Sequence, residues 1–211
     1  MPKIVGAILA AGSASRFGGP KQLAELGGER LIDIALRVLT ESAVEDIGVV
    51  VGCYESEIEE HIQQTCYGHK AINLVRNEHW MEGIASSIRS ATAYAQSKSA
   101  THLLLITCDQ PYVTKELLNE LCDSAIKTFG GEDKIAASSY GDSLGIPAIF
   151  PAKFYPHLSE LSGDKGAKSI IKESGNATAI EFPKGTFDID TNEQLEEILA
   201  QEKSPKKAIQ P

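Results

Sequence analysis

IVGAILAAGSASRFGGPKQL, residues 4–23, is the stretch that decides the fold of this chain. It begins with a continuous apolar run over residues 4–10, which contains β-branched residues and is typical of a strand covered on both faces in a parallel sheet. The run leads directly into a loop of small residues. Because open α/β sheets bind ligands at the carboxyl ends of their strands, we expect this loop to lie at a binding site.

The composition of the loop predicts phosphate binding. Its glycines can adopt positive φ and let the backbone approach a ligand, and Ser13 offers a hydroxyl and an N–H group to an anion. Arg16 supplies a planar fork and Lys21 a mobile point charge, a pair that suits a triphosphate. The loop has neither the G-x-G-x-x-G pattern nor the P-loop spacing, which disfavours those two nucleotide folds. A glycine-rich surface loop with two solvated cations is the alternative interpretation.

The size, charge and cysteine pattern of the chain limit the kinds of protein that it can be. Its 211 residues suit one domain, and we predict a single domain over residues 1–203 and a disordered tail over 204–211. The net charge of −9 argues against nucleic acid or an anionic membrane as a partner, since both need clustered cations. The four cysteines form no C-x-x-C pair, which argues against a zinc knuckle. Because the sequence shows no signal peptide or membrane-spanning stretch, we expect a cytoplasmic protein.

Two kinds of apolar pattern alternate along the chain. Short apolar runs predict strands at residues 4–10, 47–51, 71–75, 103–107 and 135–139. Helical patterns predict helices at residues 31–39, 55–64, 84–96 and 114–128. Thr114 is the expected N-cap of the fourth helix, a T-x-x-Q capping box at 191–194 predicts a last helix ending near Gln201, and residues 145–150 read as a broken stretch. The alternation predicts an α/β fold, a three-layer α/β/α sandwich with a Rossmann-like, mainly parallel sheet.

Three aspartates stand where a metal ion could be bound. Asp109 comes two residues after the strand predicted at 103–107, so its carboxylate should point into the same crevice as the glycine loop. Asp188 and Asp190 precede the last helix and are candidates for a second ligand. One or two carboxylates with phosphate oxygens and water form the usual Mg²⁺ site, so we predict Mg²⁺ at Asp109 and Asp190. Turn formation at Asp109 and helix-start electrostatics at Asp190 are the alternative interpretations.

Two further segments predict helix N-termini that face a ligand. The segment NEHWMEGIASSI places Gly83, Ser86 and Ser87 where free N–H groups can meet a phosphate or a base edge. The segment LSGDKGAK repeats the arrangement with Gly163, Asp164, Lys165 and Gly166. Each segment is equally good helix-start chemistry without a ligand, and Trp80 reads as a packing residue.

Six segments taken together resemble the molybdenum cofactor cytidylyltransferase-like family, which is part of the MobA-like NTP transferase superfamily of GT-A-type nucleotidyltransferases. In chain order they are LAAGSASRFGGPKQL, NEHWMEGIASSI, ITCDQP, SLGIPAIF, LSGDKGAK and FDIDTNEQL. The resemblance runs from Ile4 to about Leu199. It implies the GT-A-like fold of the nucleotide-diphospho-sugar transferases. It also implies transfer of CMP from CTP, with Mg²⁺, to the terminal phosphate of molybdopterin or its molybdenum-loaded form.

The resemblance further implies roles for individual residues. The catalytic residues it implies are Arg16, Lys21 and Asp109. The nucleotide-binding residues are Leu9, Ala10, Ala11, Gly12, Ser13, Arg16, Lys21, Gly83, Ser86, Ser87 and Asp109. The metal ligands are Asp109 and Asp190. The acceptor-binding residues are Gly145, Pro147, Gly163, Asp164, Lys165 and Gly166.

Ala11 bears on the choice of base. Guanylyltransferase relatives look like L-A-G-G at this turn, whereas this chain has L-A-A-G at residues 9–12, which favours CTP over GTP. Pro20, Lys21 and Gln22 also resemble the methylerythritol-phosphate cytidylyltransferases. Transfer to another phosphorylated small molecule, such as methylerythritol phosphate or a sugar phosphate, therefore stays open, as does a non-catalytic nucleotide- or cofactor-binding module. We expect a monomer or weak homo-oligomer that hands its product to a molybdoenzyme maturation chaperone.

Overall fold

The computed structural model describes residues 2–65, 67–68, 70–126 and 133–203, with the backbone alone for 201–203. The strands in these residues are β1 Ile4–Leu9, β2 Glu25–Leu26, β3 Glu29–Arg30, β4 Asp46–Val51, β5 Ile72–Arg76, β6 His102–Thr107, β7 Ala136–Tyr140, β8 Ser143–Pro151 and β9 Thr178–Glu181. The helices are α1 Leu31–Thr40, α2 Glu55–Gln64, α3 Ile84–Ser97, α4 Lys115–Ile126, α5 Tyr155–Ser159, α6 Lys168–Ser174 and α7 Asn192–Lys203. Short 3₁₀ turns occupy Lys21–Leu23, Trp80–Glu82, Ala152–Phe154 and Pro183–Thr186.

Seven of these strands form one sheet in the order β5-β4-β1-β6-β8-β7-β9. The central strand β1 pairs in parallel with β4 and β6, and β4 pairs in parallel with β5. The strand β8 runs antiparallel to β6 and β7, and β9 is parallel to β7. The predicted mainly parallel sheet is therefore confirmed. A separate hairpin joins β2 and β3.

The sheet is buried because alternate residues of its central strands face helices on opposite sides. In β1, Ile8 packs in one cluster with Ile32 of α1, whereas Ala7 belongs to a second cluster with Ile88 of α3. The first side is completed by α2 and α4, and the second by α5 and α6. This arrangement confirms the three-layer sandwich and explains the unbroken apolar run in β1, whose residues are all buried. Across the described part of the chain, no helix combines the length and apolar character needed to cross a membrane.

Residues 143–151 correct one expectation. The sequence predicts a broken stretch at 145–150, but the chain forms the continuous strand β8 there. Its pairing with β7 passes from Ala137 opposite Ala148 to Ser138 opposite Gly145, so two residues, Ile146 and Pro147, lie between paired positions. A proline has no N–H group to donate, and this irregularity gives it a place where no ladder hydrogen bond is needed. The residues that suggest a break in the sequence therefore form a bulge in the sheet.

The helix ends largely follow the sequence. Leu117 N–H donates to Thr114 Oγ1 at 3.3 Å, so Thr114 caps α4 as predicted. Gln194 N–H donates to Thr191 Oγ1 at 3.3 Å, and Thr191 N–H donates to Gln194 Oε1 at 3.0 Å, which confirms the capping box. The predicted end of α4 at 127–128 and the predicted tail at 204–211 lie outside the described residues. The sequence does not predict β2, β3 or β9, whose two to four residues are too few to show a period.

The last helix, α7, packs against residues near the start of the chain. Ile198 of α7 packs in a third cluster with Leu26 of β2 and with Ile189, which precedes the helix. Asn192 Nδ2 donates a hydrogen bond to the Phe17 carbonyl at 3.0 Å. These contacts hold the segment before α7 against the glycine loop that follows β1.

Candidate active site

The loop after β1 is anchored at its start and open at its tip. Ala10 N–H donates to the Val50 carbonyl at 2.9 Å, and Cys53 N–H donates to the Ala11 carbonyl at 3.0 Å. A Cβ atom added to Gly12 would meet nothing within 4 Å, so the backbone there faces free space. The base of the loop is thus fixed to the neighbouring strand, while its tip can approach a ligand.

Gln22 holds the loop from the interior of the protein. Its Nε2 donates to the Ala10 carbonyl at 2.8 Å and to the Gly12 carbonyl at 3.0 Å. Gln22 is only 3% exposed, and its Oε1 has no hydrogen-bond partner in the described residues. This role of Gln22 is not predicted, because nothing in the sequence separates a buried, bridging glutamine from an ordinary polar loop residue.

Lys21 joins the two aspartates that were predicted to bind a metal. Its Nζ lies 3.0 Å from Asp109 Oδ2 and 3.0 Å from Asp190 Oδ1. Arg16 approaches the same site, with Nη1 3.6 Å from Asp190 Oδ2. The Lys21 side chain is 11% exposed and the Arg16 side chain 77% exposed. The structure therefore brings these four residues together, with the lysine enclosed and the arginine at the surface.

One backbone hydrogen bond explains why the two aspartates meet. Ile189 N–H donates to the Asp109 carbonyl at 2.9 Å, which ties the turn after β6 to the segment before α7. Ile189 is fully buried, so its neighbours on either side are directed away from the core. Gln194 Oε1 also accepts a hydrogen bond from Asp190 N–H at 2.7 Å, which fixes the second aspartate at the start of α7. The site thus depends on the register between two segments that are distant in sequence.

The surrounding charges set the protonation of these groups. Burial acts to lower the pKa of Lys21, but the charge of Asp109 and hydrogen bonds to both aspartates outweigh it, so the pKa is raised. The hydrogen bond from Lys21 holds the pKa of Asp190 below its usual value. Partial burial, with the charge of Asp109, raises the pKa of Asp188 to about 6. Burial raises the pKa of Cys108 to about 12, which makes that thiol unreactive near neutral pH.

The donor set fits a divalent ion that needs few protein ligands. Among the described residues, no group of three or more His, Cys, Asp or Glu side chains converges as a ready cation cage. Asp109 and Asp190 offer two carboxylates, which suits an ion such as Mg²⁺ that takes its remaining ligands from phosphate oxygens and water. The Lys21 ammonium group donates to both carboxylates and therefore places a positive charge where the metal ion would bind.

A cavity of about 300 Å³ opens beside the loop. Among the predicted nucleotide-binding residues, those that line it are Leu9, Ala11, Gly12, Ser13, Gly83 and Ser87. Its other lining residues are Trp80, Met81 and Ile84, which are not predicted from the sequence to contact a ligand. A larger cavity, of about 690 Å³, lies between α1 and the segment after α2, and none of the predicted site residues lines it.

Gly83 brings the start of α3 against the segment LSGDKGAK. Its φ is 110°, and a Cβ atom there would lie 2.6 Å from the Gly163 carbonyl oxygen and 2.5 Å from Asp164 Oδ1. Ala85 N–H donates to the Gly163 carbonyl at 3.1 Å, and Ser86 N–H donates to the Gly83 carbonyl at 3.2 Å. The sequence predicts free N–H groups at this helix start, but the N–H groups of Ala85 and Ser86 are bonded within the protein.

Asn77 organises the two serines at the start of α3. Its Nδ2 donates to Ser86 Oγ at 2.9 Å and to Ser87 Oγ at 3.1 Å, and Ser86 Oγ donates to the Gly83 carbonyl at 2.8 Å. Asn77 and both serines are buried, although Ser87 also lines the cavity. Asn77 follows β5 at its carboxyl end, so the strand-end rule could have identified it from sequence.

The residues predicted to bind the acceptor fall into two places. Gly145 and Pro147 are buried within β8, where the Pro147 carbonyl accepts a hydrogen bond from Ser138 Oγ at 2.8 Å. The others precede α6, in a segment that is packed on the start of α3: Gly163, Asp164, Lys165 and Gly166. Lys165 lines a further cavity of about 330 Å³ with His157.

Comparisons with known proteins find one family that matches most of the chain. Residues 6–178 match the family described as MobA-like NTP transferase domain. The chain is 26% identical to the purine catabolism protein PucB of Bacillus subtilis (strain 168), over 93% of this chain and 96% of that protein. It is 24% identical to a probable molybdenum cofactor guanylyltransferase of Geobacillus sp. (strain WCH70), over 82% and 83% of the two chains. A crystal structure of Rv0371c from Mycobacterium tuberculosis H37Rv, in complex with manganese, has the same fold, with a TM-score of 0.72, 22% identity and coverage of 94% and 98%.

Proposed function

This chain belongs to the MobA-like NTP transferase family, a family of nucleotidyltransferases, and we propose that it transfers CMP from CTP, with Mg²⁺, to the terminal phosphate of molybdopterin or its molybdenum-loaded form. The observation that carries the proposal is the convergence of Lys21 and Arg16 with Asp109 and Asp190 beside the glycine loop. Cations and metal-binding carboxylates in one cleft are what the transfer of an anionic group onto another anion requires.

In the proposed complex, the base and ribose occupy the cavity of about 300 Å³ next to the loop. Ala11 lines this cavity, and its methyl group would take up space that a glycine at this turn would leave open. That difference favours the smaller, single-ring base. The triphosphate extends from the cavity along Gly12 and Ser13 towards Arg16 and Lys21.

In the proposed reaction, an oxygen of the acceptor phosphate attacks the α-phosphorus of CTP. The bond from that phosphorus to the bridging oxygen breaks, and pyrophosphate leaves with the electron pair. Arg16 and Lys21 draw the two anions together and neutralise the charge that grows on the leaving oxygens. Asp109 and Asp190 would hold Mg²⁺, which supplies Lewis-acid neutralisation of the pyrophosphate when bound. The acceptor phosphate is already ionised near pH 7, so the chain needs no general base.

The acceptor is proposed to bind next to that cavity, where the segment before α6 packs on the start of α3. Gly163 and Asp164 touch the start of α3 there, and Lys165, which lines the cavity of about 330 Å³, adds a cation that suits a phosphate. The buried Gly145 and Pro147 would act by shaping the floor of the site.

Guanylyl transfer is the second candidate, because the Geobacillus relative is named a probable molybdenum cofactor guanylyltransferase. The two candidates share the metal site and differ in the base. Ala11→Gly distinguishes them, because it enlarges the cavity where the base would lie. If the chain uses CTP, this variant should accept GTP better than the wild type does.

The test is pyrophosphate release by the purified protein with Mg²⁺ and either CTP or GTP. Each reaction is run with molybdopterin, with methylerythritol phosphate and without an acceptor. We expect pyrophosphate release only in the reaction that contains both CTP and molybdopterin. Release with GTP would assign guanylyl transfer, and nucleotide binding without release under any condition would assign a non-catalytic module.

Asp109→Ala and Asp142→Ala are the matched variants for the metal assignment. Asp142 is an exposed aspartate in the turn between β7 and β8. We expect Asp109→Ala to lose Mg²⁺-dependent release while its thermal unfolding stays cooperative, and Asp142→Ala to keep wild-type release. Full activity in Asp109→Ala would remove Asp109 from the metal site.

A further inference from the structure

The position of Lys21 suggests a role beyond binding phosphate. Its ammonium group lies 3.0 Å from an oxygen of Asp109 and 3.0 Å from an oxygen of Asp190, and its side chain is 11% exposed. Two of its three N–H donors are therefore used by the two carboxylates that fit a divalent ion. An enclosed contact of this kind differs from the loose ion pairs of a protein surface.

A divalent cation and this ammonium group cannot use the same two oxygens at once. A bound Mg²⁺ lies about 2.1 Å from each carboxylate oxygen, which would place it close to a lysine nitrogen that donates to the same oxygens. Their charges would then repel at short range in a poorly solvated site. For the metal to bind through Asp109 Oδ2 and Asp190 Oδ1, Lys21 has to leave them.

The triphosphate offers Lys21 a second set of acceptors. Lysine is a compact charge on a flexible four-carbon stem, so it can exchange carboxylate oxygens for phosphate oxygens without movement of the backbone. Before nucleotide binds, the formal charges of Lys21 and Arg16 balance those of Asp109 and Asp190. A free divalent ion would have to displace the cations that already neutralise its two ligands, whereas a metal–nucleotide complex brings negative charge for both cations.

We propose that Lys21 is the resident counter-ion of the metal site: it keeps free divalent cations off Asp109 and Asp190 and transfers to the triphosphate when a metal–nucleotide complex arrives. This inference rests on the proposed function for the identity of the incoming anion. It makes Lys21 a gate for the metal as well as a phosphate ligand, and it makes the metal–nucleotide complex, rather than the free metal, the species that binds.

The test measures Mn²⁺ binding to the nucleotide-free protein through the electron paramagnetic resonance signal of free Mn²⁺. The wild type is compared with Lys21→Met, which keeps the length and burial of the side chain and removes the charge. Lys3→Met is the matched control, because Lys3 also pairs with an aspartate, Asp46, at 2.9 Å, but away from the site. We expect Lys21→Met to bind Mn²⁺ about tenfold more tightly than the wild type, because the carboxylates lose their competing cation. Lys3→Met should bind Mn²⁺ as the wild type does.

A second variant keeps the test decisive should Lys21→Met fold poorly. Lys21→Gln is neutral but can still donate a hydrogen bond to a carboxylate, and it should show the same gain in Mn²⁺ affinity. Either folded variant binding Mn²⁺ no more tightly than the wild type would overturn the proposal. Folding is checked by circular dichroism in the absence and presence of Mn²⁺.

A parallel titration with the Mn²⁺–CTP complex separates this inference from the proposed function. We expect Lys21→Met to bind the Mn²⁺–CTP complex more weakly than the wild type does. This change is opposite in direction to its expected effect on the binding of free Mn²⁺. If Lys21→Met gains Mn²⁺ affinity but the wild type transfers no nucleotidyl group, the gating role of Lys21 is supported and the proposed function is refuted. Nucleotidyl transfer without a gain in Mn²⁺ affinity would support the function and refute the gate.

Discussion

Replacing Gln22 by alanine tests how the glycine loop is held. The change removes a donor from two carbonyls, those of Ala10 and Gly12. Ala10 is 2% exposed, so its unpaired carbonyl costs about 2 kcal/mol, whereas the exposed Gly12 carbonyl can turn to water and costs about 1 kcal/mol. Loss of the buried γ-methylene adds about 1 kcal/mol, and removal of the unpartnered Oε1 returns a similar amount.

The net destabilisation expected for Gln22→Ala is therefore about 3 kcal/mol, which corresponds to a fall in Tm of about 6–12 °C for a chain of this length. The measurement is guanidinium unfolding, supported by thermal unfolding. Gln63→Ala is the control, because exposed Gln63 donates to Glu59 on the helix surface and should change stability by less than about 0.5 kcal/mol. If the two variants have equal stability, Gln22 does not hold the loop.

Three further predictions concern other parts of the fold. Gly83→Ala should destabilise the protein by about 2 kcal/mol more than Gly141→Ala, because both residues have positive φ but only Gly83 is crowded. Burial lowers the pKa of His102 below its ordinary value of 6.5. As the pH drops below 6.5, the unfolded chain takes up a proton that the folded protein resists, so stability should fall, and it should fall less in His102→Gln. Gln194→Ala should cost about 1 kcal/mol and weaken metal–nucleotide binding, because the Asp190 backbone loses its acceptor.

Each of these has a measurement that can contradict it. Equal unfolding free energies for Gly83→Ala and Gly141→Ala would mean that the contact between α3 and the segment before α6 is not tight. Equal loss of stability between pH 7 and pH 5 in the wild type and His102→Gln would show that His102 is not the group that resists protonation. Unchanged affinity of Gln194→Ala for Mn²⁺–CTP would show that the cap does not position Asp190.

Much of the fold follows from local patterns in the sequence. The apolar run that becomes β1, the helix at 55–64 and the caps at Thr114 and Thr191 are each visible within a few residues. The strand β8 is the exception, because a proline breaks the pattern while long-range pairing with two neighbours keeps the strand. Tertiary hydrogen bonding outweighs local propensity there.

The sequence also identifies the chemical groups of the site but not their partners. The strand-end rule places Lys21 and Asp109 in one crevice, since both follow parallel strands that are neighbours in the sheet. It gives no reason for Gln22 to bond two loop carbonyls, or for Asn77 to bond two serines. Those contacts depend on the distance between side chains after folding.

The sequence by itself determined the alternation of strands and helices, the small-residue loop after β1 and the acidic residues after β6 and before α7, because each depends on the order of neighbouring side chains. Only the tertiary structure decided that Lys21 contacts Asp109, 88 residues away, and Asp190, 169 residues away. The physical reason is that charge interactions depend on spatial separation, which the sheet register and the return of α7 fix and the local pattern does not.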